Sequence, residues 1–221
     1  MPSALTALAA AAAVLDAASA QQVGTMAQEA QPSMSMEVCG KSGCAPDPAK
    51  VVMDMNWRWL HNKDGYNNCL PDGADAWDQS LCPDPEKCSH NCAIEGIDAK
   101  GYSETYMAST VGEDGLKLTF PKAPRVYLNE PSGDRYKVIK LLNREFSFDV
   151  DVSTLPCGMN AALYFVEMPA DGDKGGANNA GAKFGTGYCD AQCPHDLKWI
   201  KGEANVLDWD SESVPPVGRY G

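Results

Sequence analysis

The sequence predicts a mostly β protein built as an antiparallel sandwich. Residues 146–152 alternate apolar and polar side chains, with Phe146 and Phe148 on one face and Ser147 and Asp149 on the other, which is the pattern of a strand with one buried face. No long segment repeats apolar residues at helical spacing, while 20 glycines and 15 prolines are scattered through the chain. The length of 221 residues is sufficient for one sizeable core.

A pair of strands is predicted within residues 141–168. A turn is expected at 153–158, followed by a second strand at 160–168 whose apolar side chains occupy both faces. Both faces of that strand therefore need a cover. A second sheet is the common cover, and a ligand in a groove is the alternative, for which Tyr164 and the nearby Asn160 are suitable side chains.

The first twenty residues have the features of a secretory signal peptide. Residues 4–15 form a small apolar run, and Ala18, Ser19 and Ala20 provide a small-residue cleavage site. The run is too short to span a bilayer, and no later segment is apolar enough to act as an anchor. We therefore expect residues 1–20 to be removed and the protein to be secreted, extracellular and soluble.

The net charge of the chain limits the classes of molecule that it is expected to bind. The formal net charge is −12, and it becomes −11 when Asp16 is lost with the signal peptide. A chain of this charge repels polyanions, so nucleic acid and anionic membrane lipids are poor partners and neither is expected, while a neutral polymer is compatible with the charge.

Nine cysteines in an exported chain predict a disulfide framework. Because nine is odd, either one thiol is free or partners lie elsewhere. Cys39 and Cys44 are close enough to staple one tight loop. Four more lie in a loop region rich in Asn, Asp, Gly and Pro, where two nested disulfides are expected: Cys69, Cys82, Cys88 and Cys92. A zinc site that includes His90 is the alternative, disfavoured because export oxidises thiols.

A strand is predicted at 51–60, with Trp57 and Trp59 two positions apart and therefore on the same face. As core residues the tryptophans need hydrogen-bond partners for their indole N–H groups, and as surface residues they form a flat aromatic platform. Sequence alone leaves both options open. Further short strands are predicted at 102–110, 116–120, 125–128 and 136–142, with turns at 112–115 and 131–134.

Polar and aromatic residues cluster again near the carboxyl end. Two cysteines are surrounded by planar and polar groups that suit sugar rings and hydroxyls, namely Tyr188, Asp190, Gln192 and Lys198. From the residues alone, a polar loop pinned by a disulfide is the more common explanation. The acidic residues at 208–212 are interpreted as solvated surface rather than as a glycosidase pair.

Three long segments carry a resemblance to a known family. They are NWRW at 56–59, LLNREFSFDVDVSTLPCGMNAALYFVEM at 141–168 and AGAKFGTGYCDAQCPHDLKWIKGEANV at 180–206. Together they resemble glycoside hydrolase family 7, the secreted cellobiohydrolases and endoglucanases that cut cellulose. The resemblance implies a concanavalin-like β-jelly-roll sandwich of two antiparallel sheets, incomplete in this chain, with a groove or tunnel for cellulose on its concave face.

The resemblance also implies which residues bind the glucan. Trp57 and Trp59 match tryptophans that stack on glucosyl rings, which favours the platform. The other matching positions are Arg125, Asn160, Tyr164, Tyr188, Asp190, Gln192 and Lys198. The loop at 121–124 is short, which implies a less enclosed tunnel.

The disulfide pairing implied by the family is Cys39 with Cys44, Cys69 with Cys92 and Cys82 with Cys88. Three cysteines, at 157, 189 and 193, are then expected to pair with partners outside these 221 residues.

The family's catalytic motif, Glu-x-Asp-x-x-Glu, does not occur in these 221 residues. We therefore expect residues 21–221 to be the N-terminal half of a catalytic sandwich domain without catalytic residues, inactive and poorly folded alone. The family mechanism is retaining hydrolysis by two carboxylates, and no cofactor or metal is implied.

The predicted function is therefore that of a monomeric β-1,4-glucanase, a cellobiohydrolase or an endoglucanase, whose partner is cellulose or a related β-1,4-glucan. Two alternatives from other classes are a non-catalytic carbohydrate-binding sandwich module and a disulfide-stapled structural protein of a wall or matrix.

Overall fold

The computed structural model describes residues 21–122, 124–190, 193, 197, 199–200, 202–206 and 210. Within them the chain forms short strands and very little helix. In chain order the strands are β1 (Gln22–Val23), β2 (Ser33–Gly40), β3 (Gly43–Met53), β4 (Leu60–Asn62), β5 (Cys92–Ile94), β6 (Ala108–Val111), β7 (Gly115–Leu118), β8 (Val126–Asn129), β9 (Trp199–Ile200) and β10 (Glu203–Ala204). The helical segments are the α-helix α1 (Pro85–Asn91), the 3-10 helices Met55–Trp57 and Gly181–Phe184, and the π-helix Gly101–Thr105.

Most strand pairs are antiparallel. One three-stranded sheet has the order β2-β3-β8. Cys39 of β2 pairs with Cys44 of β3 near the turn between these strands, and Val52 near the other end of β3 pairs with Tyr127 of β8. A second sheet has the order β1-β5-β4, with β1 parallel to β5. The pairs β6–β7 and β9–β10 are hairpins. No helix among the described residues is long and apolar enough to cross a membrane.

The core follows the inner end of β3. Val51, Val52 and Met53 are all fully buried, as expected for β-branched and long apolar side chains covered on both faces. The largest buried group lies beside them and consists mainly of aromatic residues, aliphatic residues and four half-cystines, namely Met55, Leu60, Cys69, Trp77, Cys82, Cys88, Cys92, Ile94, Ala180, Phe184, Trp199 and Ala204.

The disulfides agree with the pairing implied by the family, and they remove the zinc alternative. Bridges join Cys39 to Cys44, Cys69 to Cys92 and Cys82 to Cys88. Because Cys88 and Cys92 are oxidised in separate bridges, neither thiolate is available to hold a metal with His90.

The expectation for the last three cysteines is wrong in one respect. Cys189 is joined to Cys193, with their Cα atoms 5.4 Å apart, so these two do not wait for outside partners. The two residues lie within ordinary bridging distance across a short turn. Cys157 alone remains a free and exposed thiol.

The predicted strand at 51–60 ends early. β3 stops at Met53, because the Asp54 side chain accepts a hydrogen bond of 2.7 Å from the Asn56 amide and caps the 3-10 helix that follows. Trp57 and Trp59 therefore do not lie on one strand, and the strand geometry expected to place them on the same face is absent.

The predicted strand pair within 141–168 is also absent. Both segments are without a described ladder partner, and most of their apolar side chains are exposed, with Phe148 at 53% and Val150 at 67%. Alternation makes a segment suitable for a sheet, but a strand also needs a neighbour to receive its hydrogen bonds. Phe146 and Phe165 still contact each other edge to face, with ring centroids 5.1 Å apart.

Two further strand predictions need correction. The segment 102–110 begins within the π-helix, and only its end belongs to β6. The segment 136–142 contributes one isolated bridge, from Tyr136 to Asn129, instead of a strand. The predictions at 116–120 and 125–128 correspond to β7 and β8 within one or two residues.

A buried ion pair joins the segments around β3. Arg58 donates to both carboxylate oxygens of Glu29, at 2.6 and 3.1 Å, and to the Met53 carbonyl at 3.2 Å. The Tyr102 hydroxyl donates to Glu29 at 2.7 Å, and so does the Ile97 amide at 2.9 Å. Burial lowers the pKa of Arg58, but its interactions with Glu29 and Tyr102 outweigh burial and raise that pKa overall.

We predict that Arg58→Met destabilises the protein by about 3–5 kcal/mol, because the carboxylate of Glu29 would stay buried without its partner. Chemical denaturation followed by far-UV circular dichroism measures the change. Lys100→Met, which breaks the exposed pair with Glu104, is the control and should leave the midpoint unchanged. Equal midpoints for the two variants would show that the buried pair is not structurally important.

Candidate functional site

The first candidate site is the Arg125 cluster, which consists of Trp57, Arg125, Tyr127 and Tyr188. The Arg125 guanidinium lies 4.0 Å from the centre of the Tyr188 ring and 5.5 Å from that of Trp57. Tyr127 lies 6.0 Å from Tyr188 between ring centroids. Trp57 is 41% exposed, so its indole is accessible to a ligand. Cation–π contact of this kind favours a guanidinium that lies flat against the rings.

Asp54 holds the guanidinium in that position. Its carboxylate, 1% exposed, accepts from Arg125 Nε at 2.9 Å and Nη2 at 2.8 Å, and from the Tyr127 hydroxyl. Burial lowers the pKa of Arg125, but the Asp54 charge and other interactions outweigh it and raise that pKa. Burial and the same charge raise the pKa of Tyr127, so the hydroxyl stays protonated and donates a hydrogen bond to Asp54.

The exposed side of the cluster is polar. The Tyr188 hydroxyl donates to Asp190 Oδ2 at 2.7 Å. That hydrogen bond, partial burial and a hydrogen bond with Tyr164 raise the pKa of Tyr188. The cluster therefore combines aromatic faces with a carboxylate, a guanidinium and hydroxyl groups, which together match the apolar faces and hydroxyls of a sugar.

The second candidate site is the Trp59 cluster, which consists of Trp59, His61, Tyr66 and Asn68. Trp59 is partly buried, and its indole N–H donates to Asn68 Oδ1 at 2.6 Å. Tyr66 stacks on the indole with ring centroids 6.1 Å apart and is 76% exposed. His61 lies on the indole as well, with centroids 4.2 Å apart.

The structure brings some of the predicted site residues together. Arg125, Tyr188 and Trp57 are in contact, and Tyr164 reaches Tyr188. Asn160 is exposed, four residues before Tyr164 in a segment without assigned secondary structure. Gln192 and Lys198 lie outside the described residues.

Sequence reasoning missed the side chains that support the two clusters. One feature of the sequence could have identified Asp54 as a supporting residue. It is a carboxylate within the apolar run Val51–Met55, and a buried carboxylate requires a charged or hydrogen-bonding partner. Nothing local identified the partner, since Arg125 is 71 residues away in sequence. The contacts of Tyr66 and Asn68 with Trp59 likewise depend on the turn between them.

Comparison with known proteins identifies the family. The model for glycosyl hydrolase family 7 matches residues 23–221. This chain belongs to glycosyl hydrolase family 7. A family 7 cellobiohydrolase from Daphnia pulex is 47% identical to it and superposes with a TM-score of 0.79 over 86% of this chain and 44% of that chain.

Other family 7 structures are similar across the same region. An endocellulase from Humicola insolens is 37% identical, with a TM-score of 0.71 over 84% of this chain and 47% of that one. A cellobiohydrolase from Melanocarpus albomyces, complexed with cellotetraose, is 34% identical, with a TM-score of 0.69 over 90% and 47%. The chain thus spans less than half the length of these relatives. Their likeness confirms the all-β jelly-roll fold class, with the sandwich incomplete in this chain.

We predict that Asp54→Asn lowers the free energy of unfolding by about 2 kcal/mol, because Arg125 loses a charged acceptor. The Arg125 Nε–H should also exchange faster with solvent, which NMR measures. Tyr127→Phe removes a single hydrogen bond to the same carboxylate and should cost about 1 kcal/mol. Unchanged stability and exchange in Asp54→Asn would mean that Asp54 does not hold the guanidinium.

Proposed function

We propose that this chain is the glucan-binding portion of a cellulose-degrading β-1,4-glucanase, a cellobiohydrolase or an endoglucanase. Membership of glycosyl hydrolase family 7 supports this function. Among the similar structures, one is an endoglucanase I complexed with cellobiose and another is a cellobiohydrolase complexed with cellotetraose. Both ligands are short β-1,4-glucans.

The observation that carries the proposal is the Arg125 cluster. The exposed indole of Trp57 offers a flat face for the C–H groups of a pyranose ring. Beside it, Arg125 is fixed by Asp54, so little conformational entropy is lost when it donates to a sugar hydroxyl. On the same exposed side, Asp190 adds a carboxylate that can accept hydrogen bonds, and Tyr188 adds a hydroxyl group.

The Trp59 cluster supplies a second aromatic surface. Trp59 and Tyr66 present stacked rings, and the indole orientation is fixed by Asn68. Two separate aromatic surfaces suit a polymer with repeated sugar rings better than a single small molecule. Asn160, Gln192 and Lys198 belong to the same proposed glucan-binding set, by resemblance to the family.

Hydrolysis with retention requires two carboxyl groups about 5–5.5 Å apart, one as nucleophile and one as acid and base. We propose that residues 21–221 form the N-terminal half of a catalytic domain and that the carboxylates lie in the remaining part. The proposal is supported by the absence of Glu-x-Asp-x-x-Glu from the 221 residues and by the 44–47% coverage of the relatives. The uncovered side chains of Phe148, Val150 and Leu163 fit a surface that further chain would cover.

The proposed location is extracellular, after removal of residues 1–20. Four disulfides suit an oxidising compartment, and the acidic charge suits a monomer that binds a neutral polymer.

A non-catalytic carbohydrate-binding module is the second candidate. It is favoured by one specific observation, namely that both aromatic clusters are present although the catalytic motif is absent. Neither candidate places catalytic carboxylates within these 221 residues, so release of cellobiose from cellulose by the purified 221-residue chain would contradict both.

We predict that Trp57→Ala and Trp59→Ala each weaken binding of cellotetraose about tenfold, because each removes one stacking face. Isothermal titration calorimetry measures the affinity. Phe148→Ala is the matched control, since Phe148 is an exposed aromatic residue outside both clusters and its loss should leave affinity unchanged. If a folded protein fails to bind cellotetraose, or if all three variants bind as tightly as the original, the proposed function is wrong.

A further inference from the structure

Tyr66 presents its ring to solvent. The residue is 76% exposed, more than any other Phe, Tyr or Trp among the residues that the structure describes. Its ring lies nearly parallel to the indole of Trp59, with an interplanar angle of 23° and centroids 6.1 Å apart. Rings overlaid face to face would have closer centroids, so these two rings are offset sideways and much of the tyrosine face stays uncovered.

The turn that carries Tyr66 is held in place by hydrogen bonds. The Asn62 amide donates to the Asn67 carbonyl at 2.9 Å, and the Asn67 amide donates to Oδ1 of Asn62 at 3.1 Å. Further from the tip, the Cys69 amide donates to the Leu60 carbonyl at 2.9 Å. Tyr66 is therefore exposed on an ordered turn, and a ligand that contacts it has little backbone to immobilise.

The indole of Trp59 is less open to a ligand than the ring of Tyr66. The buried ring of His61 lies 4.2 Å from the indole between centroids, a distance at which the two rings overlap at least in part. Asn68 Oδ1 accepts from the indole N–H at 2.6 Å. Trp59 as a whole is only partly exposed. A ligand that reaches the Trp59 cluster therefore finds its largest accessible aromatic surface on Tyr66.

We propose that Tyr66 is a further glucan-binding residue, whose ring stacks on the sugar next to the one that Trp59 contacts. The resemblance to the family implies no role for this position. A tyrosine ring packs against the C–H groups of a pyranose, and its hydroxyl both donates and accepts hydrogen bonds, as sugar hydroxyls do. The inference rests on the proposed function, because it assigns a further contact to the same ligand.

Binding of cellohexaose to two variants tests the contact, since a longer chain can occupy more of the aromatic surface. Tyr66→Ala should weaken binding about fivefold, while Tyr66→Phe, which keeps the ring, should bind within about twofold of the original protein. Isothermal titration calorimetry measures the affinity. Phe148→Ala is the matched control, because it removes an exposed ring outside both clusters and should leave the affinity unchanged.

Chemical denaturation of the same variants separates contact with the ligand from support of the fold. Because Tyr66 is mostly exposed, Tyr66→Ala should unfold at the same denaturant concentration as the original protein. Weaker binding together with a lowered midpoint would mean that Tyr66 supports the turn, and it would overturn the inference. Equal affinities for the original protein and Tyr66→Ala would overturn it as well.

NMR spectra of protein labelled with ¹³C in its tyrosine rings show the contact directly. The Tyr66 signals, identified by their absence in Tyr66→Phe, should shift when cellohexaose is added, while those of the buried Tyr102 should stay in place. Tyr66 signals that do not move while cellohexaose is bound would refute the role of Tyr66 and leave the proposed function intact. A folded protein that binds no cellohexaose would refute both.

Discussion

The fold depends first on the buried ion pair between Arg58 and Glu29. Arg58 stands between Trp57 and Trp59 in the sequence, and its guanidinium lies in the core, where it contacts Glu29 and the carbonyl at the end of β3. Glu29 also accepts from Tyr102 and from the backbone after β5. Four segments thus meet at one charge pair, and a buried charge without its partner is costly. With Arg58 fixed inside, the flanking tryptophans are left outside the innermost core.

The tryptophans serve two different clusters because of how β3 ends. Asp54 stops the strand and at the same time fixes Arg125, so Trp57 faces a guanidinium and Tyr188. Trp59 lies two residues later beside His61, Tyr66 and Asn68. The buried carboxylate of Asp54 therefore does two things: it caps the 3-10 helix that ends β3, and it fixes the guanidinium of the Arg125 cluster. Two surfaces of this kind are suited to the repeated sugar rings of the proposed glucan ligand.

Sequence predicted the fold class and the three disulfides between positions 39 and 92, but not the contacts that hold Trp57 and Trp59 in place. The Cys39–Cys44 and Cys69–Cys92 pairings were implied by the resemblance to the family. The strands expected at 146–152 and 160–168 were not found, because alternation cannot supply a neighbouring strand. The Asp54–Arg125 and His61–Glu95 contacts join residues 71 and 34 positions apart. Such pairs depend on the fold and leave no periodic signal in the chain.

A crystal structure of the protein with cellotetraose would show directly which side chains bind the glucan. We expect glucosyl rings stacked on Trp57 and Trp59, hydroxyl contacts with Arg125, and Arg58 still paired with Glu29 in the core. A tetrasaccharide bound elsewhere, with both indoles untouched, would contradict this expectation.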